Sequence, residues 1–384
     1  MVMRLQQRRP ALRGIARRGW ALALAGALLA CTAAGCQSGD APATGVQEPP
    51  APAAAPQGGG APSTPAAVQQ PAYRFPLTGQ VSAKPVHDRP VAVMVENAPQ
   101  ARPQSGLDQA DLVYEILAEG EVTRFVAVYQ AQAPKVIGPV RSIRPYFVEL
   151  GEALDAVIVH AGWSQDAMDL MAEHKLNHLD EVYGDGAYYW RSSERKMPHN
   201  LYTSLEKIRE GAVNKKFREQ WRAPEAAFTF AGTAAAASVP AGASAPPQAG
   251  AGTAAKAGTA ANKVTMNYLL GYNVSYVYDA VTGLYQRFME GEPHLDKETG
   301  KQLTAANILV CESKHQVLDN AGRRAVDVRG QGKGYLIQAG RMQEVTWELK
   351  NGVIRGYING QEAEMLPGQT WIQVIPEGYG VQTE

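Results

Sequence analysis

The stretch DLVYEILAEGEVTRFVAVYQ, from Asp111 to Gln130, decides the fold of this chain. Both of its halves are rich in aliphatic and aromatic residues, and Glu119-Gly120-Glu121 separates them. A glycine between two apolar runs is a turn signal, so the stretch predicts two strands joined by a turn. The rest of the folded chain is therefore expected to pack around a sheet.

Short apolar runs and helix signals flank this pair of strands. Arg89–Asn97 and Asp155–Gly162 are apolar and biased toward β-branched residues, which predicts two buried strands. Pro145–Leu154 and Ser164–Leu176 predict helices, with a proline in the first turn of one and a serine cap on the other. A third helix is expected to begin at the capping box Thr203–Glu206.

The second part of the chain predicts strands almost throughout. Val274–His294 indicates two strands that pair about the turn Thr282-Gly283. Further alternating segments follow at Gly332–Leu349, Gly352–Leu366 and Gln369–Pro376. The predicted class is α+β: a mixed α/β N-terminal domain followed by a β-rich C-terminal domain, built as an antiparallel sheet or a small barrel.

Two segments of low complexity set the predicted domain boundaries. Residues 37–72 and 231–262 consist largely of Ala, Pro, Gly, Ser, Thr and Gln. Such composition cannot bury enough apolar surface to offset the ordering entropy of the chain. We therefore predict a disordered tether at 37–72, a mixed α/β domain at 73–230, an exposed insertion at 231–262 and a β-rich domain at 263–384.

Residues 1–36 predict a signal peptide. A basic region containing six arginines precedes the apolar run Gly19–Ala30, which is too short to span a bilayer comfortably. Small residues then lead to a cysteine in two possible registers, Cys36 or Cys31, as at the lipidation site of a lipoprotein. We favour acylation of Cys36, with an ordinary secretory signal cut after Ala34 as the alternative.

Charge and cysteine content exclude several classes of function. The chain has 37 basic and 37 acidic residues, and removal of the signal peptide leaves a net charge of about −6. This balance argues against binding to nucleic acid. The remaining cysteine, Cys311, is predicted to be a small buried hydrophobe on a strand. Neither a cofactor motif nor a convincing zinc spacing is found in the sequence.

Several long strings make the chain resemble the YerB-like lipoprotein family, known as DUF3048. They are RPVAVMVEN, ARPQSGLDQADLVYEILAEGEVTRF, IGPVRSIRPYF, DAVIVHAG and RSSERKMPHNLYTS in the first half, and VSYVYDAVTGLYQRFMEGEPH, GQGKGYL and LPGQTWIQVIP in the second. The resemblance implies an extracytoplasmic lipoprotein, lipid-anchored to the bacterial cell membrane, with a mixed α/β domain and a β-rich domain. It implies no established activity.

The segment IGPVRSIRPYF, from Ile137 to Phe147, is the strongest candidate for a binding site. Arg141, Ser142 and Arg144 directly precede the helix predicted at Pro145. Two guanidiniums beside a helix N-terminus can hold a phosphate or a carboxylate. In the alternative interpretation, the arginines pair with Glu115, Glu119 or Asp111 and lock the strand pair to the helix.

Other polar residues are predicted to lie near this segment, because strand ends and helix starts are where α/β proteins place their ligands. The further candidates for ligand binding are Arg124, His160, His199 and Asn200. No catalytic residue is assigned, but His160 is a candidate base, and Glu115 or Glu119 a candidate acid.

Three functions therefore stay open at this point, and the sequence favours a binding protein over an enzyme. The first is the binding of an anionic envelope ligand, such as a phosphate-bearing or uronic glycan, through Arg141 and Arg144. The second is a hydrolase or transferase acting on an envelope glycan. The third is a scaffold for other envelope proteins.

Overall fold

The computed structural model describes residues 73–223, 228–232, 258–269 and 272–384. Within these residues the chain is mostly β, with three α-helices that all precede residue 215. The predicted α+β class is confirmed in part, since the helices are fewer than a mixed α/β domain implies. The predicted signal peptide, lipidation site and tether, and most of the Ala/Gly/Pro-rich insertion, lie outside the described residues.

The first half of the described chain holds nine strands and the three helices. Its strands are β1 (Tyr73–Arg74), β2 (Val81–Ser82), β3 (Val91–Glu96), β4 (Leu112–Leu117), β5 (Thr123–Tyr129), β6 (Val157–His160), β7 (His178–Asp180), β8 (Trp190–Arg191) and β9 (Leu201–Tyr202). Its helices are α1 (Pro145–Ala153), α2 (Gln165–Glu173) and α3 (Leu205–Asn214).

The second half contains only strands and turns in the residues described. The strands are β10 (Thr259–Ala260), β11 (Lys263–Asn267), β12 (Asn273–Asp279), β13 (Leu284–Met289), β14 (Glu292–Pro293), β15 (Thr304–Ala305), β16 (Asn307–Ser313), β17 (His315–Val317), β18 (Arg324–Val326), β19 (Gln331–Gln338), β20 (Arg341–Lys350), β21 (Val353–Ile358), β22 (Gln361–Glu362), β23 (Thr370–Pro376) and β24 (Gln382–Thr383).

One twelve-stranded sheet runs through both halves. Its order is β22-β21-β20-β19-β16-β23-β4-β5-β3-β6-β7, and β10 pairs with β20. The join is β23, which lies between β16 and β4 and is parallel to both. The predicted domain boundaries stay a prediction, but strands from both sides of the insertion share this sheet.

A second sheet covers one face of the central sheet. It has six antiparallel strands, in the order β14-β13-β12-β11-β24 with β15 beside β13. Alternation along the strands of the central sheet sends Phe125 and Trp371 toward this second sheet, where Tyr276 packs against Trp371. The period of two in β-strands thus gives the central sheet two buried faces.

Helices α1 and α2 cover part of the opposite face. Phe147 and Met171 from these helices share a buried cluster with Met94 and Tyr114 from the central sheet. Cys311 belongs to this cluster as a free, fully buried thiol, as the sequence predicted. Burial raises its pKa well above the usual value, so the thiol is an inert packing group.

Most predicted elements are confirmed with small shifts at their ends. The strand pair β4 and β5 forms on either side of Glu119–Glu121, as predicted. Helix α3 begins one residue later than predicted, because the side chain of Ser204 rather than that of Thr203 accepts from the Lys207 N–H. None of the helices that the structure describes has the length and hydropathy that a membrane span needs.

Candidate functional site

Polar residues end three neighbouring parallel strands. Strands β3, β6 and β7 are parallel, and their last residues are Glu96, His160 and Asp180. The carboxyl ends of parallel strands face the same edge of a sheet, where α/β proteins bind ligands. Helix α2 follows the carboxyl end of β6 in the chain. We call this edge, marked by Glu96, His160 and Asp180, the polar edge.

The segment that contains the two arginines crosses the polar edge. The Arg141 N–H donates to the Met94 carbonyl at 2.9 Å, and the Arg141 carbonyl accepts from Ala161 N–H at 3.0 Å. Farther along, Ile143 N–H donates to the Gly162 carbonyl at 3.1 Å. These backbone bonds fix Arg141, Ser142 and Arg144 between the end of β3 and the residues that follow β6.

Arg144 forms an ion cluster with Arg124 and Glu119. The Glu119 carboxylate pairs with Arg144 Nε through one oxygen and lies 3.4 Å from Arg124 Nη2 through the other. Burial opposes the charge of Glu119, but the two guanidiniums hold its pKa below the usual value. The alternative interpretation of the sequence was an ion pair that holds the strand pair to the helix. Arg144 and Glu119 form such a pair.

The cluster carries more positive than negative charge. Burial lowers the pKa of Arg124; Glu119 opposes this shift, while Arg144 and Arg141 lower the pKa further. Arg124 also donates from Nη1 to the Ser142 carbonyl at 2.7 Å, which ties β5 to the arginine segment. Two of these guanidiniums share the single carboxylate of Glu119, so an added anion would be attracted to the cluster.

A cavity of about 270 Å³ adjoins Arg144. Its lining comes from the starts of α1 and α2 and from the hairpin of β17 and β18, and consists of Arg144, Pro145, Ser164, Asp166, Leu318, Asp319, Arg323 and Arg324. Arg323 pairs with Asp319 at 2.5 Å, and Arg324 Nε donates to the Ala118 carbonyl at 3.2 Å. Three arginines from two distant parts of the chain thus meet at one cavity.

Sequence reasoning missed Arg323 and Arg324. They lie some 180 residues beyond Arg144, on a short hairpin, and their local sequence gives no sign that they approach it. The contact depends on the parallel pairing of β23 with β4, which brings the two halves together. Only a prediction of that pairing could have placed them at the site.

Arg141 belongs to a second cluster, with Glu96 and His199. Its Nε lies 3.1 Å from Glu96 Oε1, without the alignment of a hydrogen bond. His199 Nδ1 lies 3.0 Å from the same oxygen. The sequence did not single out Glu96, although it ends an apolar strand just as His160 does, and that signal could have identified it.

His160 is fully buried at the polar edge. Its Nδ1 lies 3.0 Å from the Gly162 carbonyl and its Nε2 lies 3.1 Å from His178 Nδ1. Burial is the main cause that lowers the pKa of His160 to about 3, and His178 adds to it. The imidazole is therefore neutral at physiological pH and links β6 to β7.

We expect His160→Asn to weaken the acid dependence of folding. Because the folded pKa of about 3 lies below the unfolded value of 6.5, the unfolded state binds more protons between these pH values. Stability from this group is complete above pH 6.5 and is lost as the pH falls toward 3. One proton corresponds to a slope of about 1.4 kcal/mol per pH unit, and urea unfolding at pH 6, 5 and 4 measures it. An unchanged slope in the variant would contradict this assignment.

The remaining predicted site residues have structural contacts. Ser142 Oγ donates to the Ala161 carbonyl at 3.0 Å. Asn200 Nδ2 donates to the Ser192 carbonyl at 2.9 Å, and its Oδ1 accepts from Arg191. Glu115 is fully buried between the two sheets, where it pairs with Arg287 at 2.6 Å. The structure thus does not bring His160 and Glu115 together at an open cleft.

The described part of the chain contains no group of three or more His, Cys, Asp or Glu side chains that could hold a metal ion.

Comparison with known proteins assigns both halves of the chain to one protein family. Residues 77–218 match the family described as "Protein of unknown function (DUF3048) N-terminal domain", and residues 264–372 match its C-terminal domain. The chain belongs to the DUF3048 family. The resemblance noted from the sequence is therefore confirmed.

A curated relative and a solved structure each match most of this chain. The protein named "Putative lipoprotein YerB" from Bacillus subtilis (strain 168) is 38% identical over 305 residues, which cover 79% of this chain and 86% of that protein. The crystal structure of YerB protein from Bacillus subtilis superposes with a TM-score of 0.70 at 34% identity. That comparison covers 81% of this chain and 99% of the solved chain.

Proposed function

We propose that this protein binds an anionic ligand of the cell envelope at the polar edge, with Arg144 in its cavity and Arg141 beside it. The observation that carries the proposal is the meeting of Arg144, Arg323 and Arg324 at a cavity of about 270 Å³. Guanidiniums suit phosphate and carboxylate groups, because their planar donors match two oxygens at once. A phosphate-bearing or uronic glycan would present such groups.

The starts of two helices support the same ligand class. Pro145 is the first residue of α1 and Ser164 is the N-cap of α2, and both line the cavity. The unpaired N–H groups at a helix start carry a partial positive charge that favours anions. The side-chain hydroxyl of Ser164 is buried and has no hydrogen-bond partner within the described structure, which leaves its donor unsatisfied.

The lipid anchor is also part of the proposal. The relative from Bacillus subtilis is named "Putative lipoprotein YerB", and this chain has Cys36 after a signal-like segment, with Cys31 as the alternative. Acylation there, for example with palmitate, would hold the folded part at the extracytoplasmic face of the bacterial membrane. Residues 37–72 would then act as a tether between the lipid and the first strand.

The two other functions have less support. A hydrolase or transferase would need His160 and Glu115 or Glu119 at one accessible site, and the first two are fully buried on different strands. Glu119 is engaged by two arginines. A scaffold for envelope proteins has one observation in its favour, since the exposed apolar side chains of Val317 and Leu318 lie on the hairpin beside the cavity.

We expect inorganic phosphate to raise the melting temperature of the protein. Phosphate at ten times its Kd would add about 1.4 kcal/mol to the free energy of unfolding, which raises the melting temperature by a few degrees. The double variant Arg144→Gln/Arg323→Gln should lose this shift. Comparing each protein with and without phosphate removes the effect of the substitutions on stability itself.

Arg341→Gln provides the matched control, because Arg341 is an exposed arginine on β20 that does not line the cavity. This variant should keep the full shift. A shift that survives in the double variant, or disappears in Arg341→Gln, would show that phosphate acts elsewhere.

A further inference from the structure

Among the described residues, only one of the two oxygens of the Glu96 carboxylate has donors beside it at the polar edge. Glu96 is 4% exposed, and its Oε2 has no hydrogen-bond partner in the part of the chain that the structure describes. Both neighbouring donors, Arg141 Nε and His199 Nδ1, approach the other oxygen at 3.1 and 3.0 Å. A buried charged acceptor without a donor is costly, so Oε2 is suited to receive a hydrogen bond from a bound molecule.

The neighbours of Glu96 remain partly accessible. The side chain of Arg141 is 29% exposed and that of His199 is 23% exposed. Arg141 carries further N–H donors on its terminal nitrogens, and the second nitrogen of His199 can donate or accept according to its tautomer. Two partly exposed donor side chains therefore flank one buried acceptor, Glu96 Oε2.

This arrangement suits hydroxyl groups better than a bare anion. The negative charge of Glu96 disfavours an anion at Oε2, whereas a hydroxyl can donate to Oε2 and accept from Arg141 at the same time. Two adjacent hydroxyls on a sugar ring would satisfy the carboxylate and the guanidinium together. The chemistry differs from that of the cavity at Arg144, where arginines outnumber carboxylates.

An aromatic pair lies next to the same backbone segment. Trp163 forms a parallel bridge with Ile143, between Arg141 and Arg144, and its ring centroid lies 3.9 Å from that of Tyr183. Tyr183 is 67% exposed. The C–H face of a sugar ring is apolar and packs on aromatic rings, so this pair offers a surface that inorganic phosphate cannot use.

We propose that Glu96, Arg141 and His199 form a hydroxyl-binding subsite and that the anionic ligand of the Arg144 cavity is a saccharide. The inference rests on the proposed function and names the class of its ligand. The sugar ring lies against the Trp163–Tyr183 pair, its hydroxyls contact Glu96 and Arg141, and its anionic group is held near Arg144.

Isothermal titration with two phosphate monoesters tests this assignment. Glucose 6-phosphate and ethyl phosphate carry the same anionic group, but only the first has a ring and hydroxyls. We expect glucose 6-phosphate to bind at least about tenfold more tightly to the full-length protein. Glu96→Gln should reduce this difference in affinity to less than about threefold without weakening the binding of ethyl phosphate.

Tyr183→Ala is the second variant, because the exposure of Tyr183 makes a folding defect from this change small. It should also narrow the difference between the two esters, whereas Tyr379→Ala, at another exposed tyrosine, should not. Equal affinity of both esters for the unmodified protein would overturn the saccharide assignment alone. A preference that survives in Glu96→Gln and in Tyr183→Ala would overturn the subsite. Failure of both esters to bind would overturn the proposed function and this inference with it.

Discussion

Replacement of Arg287 by methionine is expected to destabilise the protein by about 3–5 kcal/mol, the largest effect of any polar substitution considered. Arg287 on β13 is fully buried and pairs with Glu115 on β4, so it joins the two sheets. Its guanidinium also donates to the Tyr276 hydroxyl at 2.5 Å and lies 4.4 Å from the Trp371 ring centroid. Burial opposes its charge, but Glu115 and Tyr276 more than offset this and raise its pKa.

The cost arises because the Glu115 charge would remain buried without its partner. Removing both charges should therefore be less harmful than the sum of the single changes. We expect the double variant Glu115→Gln/Arg287→Met to be more stable than Arg287→Met, as measured by denaturant unfolding. Additive losses in the double variant would contradict this account.

An exposed ion pair provides the control for Arg287. Lys333 and Glu344 lie 3.5 Å apart on neighbouring strands, with 53% and 75% of their side chains exposed. Loss of such a pair typically costs no more than about 1 kcal/mol. Lys333→Met should therefore change the free energy of unfolding far less than Arg287→Met does.

Replacement of Trp371 by alanine should cost about 3–5 kcal/mol, because it empties a large volume between the two sheets. Trp371 is fully buried, with Phe125 edge-on at 5.6 Å between ring centroids and Tyr276 at 6.4 Å. Its indole N–H lies 3.2 Å from the Thr304 carbonyl, an acceptor that would lose a donor. Trp371→Phe should cost less, since it keeps an aromatic ring in the layer.

Denaturant unfolding of the two Trp371 variants checks this prediction. The unmodified protein should be the most stable, Trp371→Phe should be less stable, and Trp371→Ala should be the least stable. A loss below about 1 kcal/mol in Trp371→Ala would mean that the interface between the sheets is not the main core of the fold. Some other part of the fold would then have to hold the polar edge in place.

Local patterns in the sequence predicted the elements well, because each depends on neighbouring residues. The strand pair about Gly120 and the helix after Arg144 follow from turn chemistry, apolar runs and capping preferences. The insertion of β23 between β4 and β16 could not be predicted in this way. It pairs residues more than 250 positions apart, such as Trp371 and Val113, and no local signal specifies such a partner.

The same distinction between local and distant contacts applies to the candidate site. The spacing of Arg141 and Arg144 before a helix indicated a cationic segment, and both arginines lie at the polar edge. The two arginines pair with different carboxylates, however: Arg141 pairs with Glu96, and Arg144 pairs with Glu119. Assigning these partners requires the register between β3, β5 and the arginine segment, which the sequence alone does not give.

A crystal structure of the protein grown in saturating phosphate is the most direct test of anion binding at the polar edge. We expect density for phosphate in the cavity, with guanidinium nitrogens of Arg144, Arg323 and Arg324 about 2.7–3.2 Å from its oxygens. A cavity that holds only water under these conditions, with phosphate bound elsewhere or not at all, would contradict the proposed function.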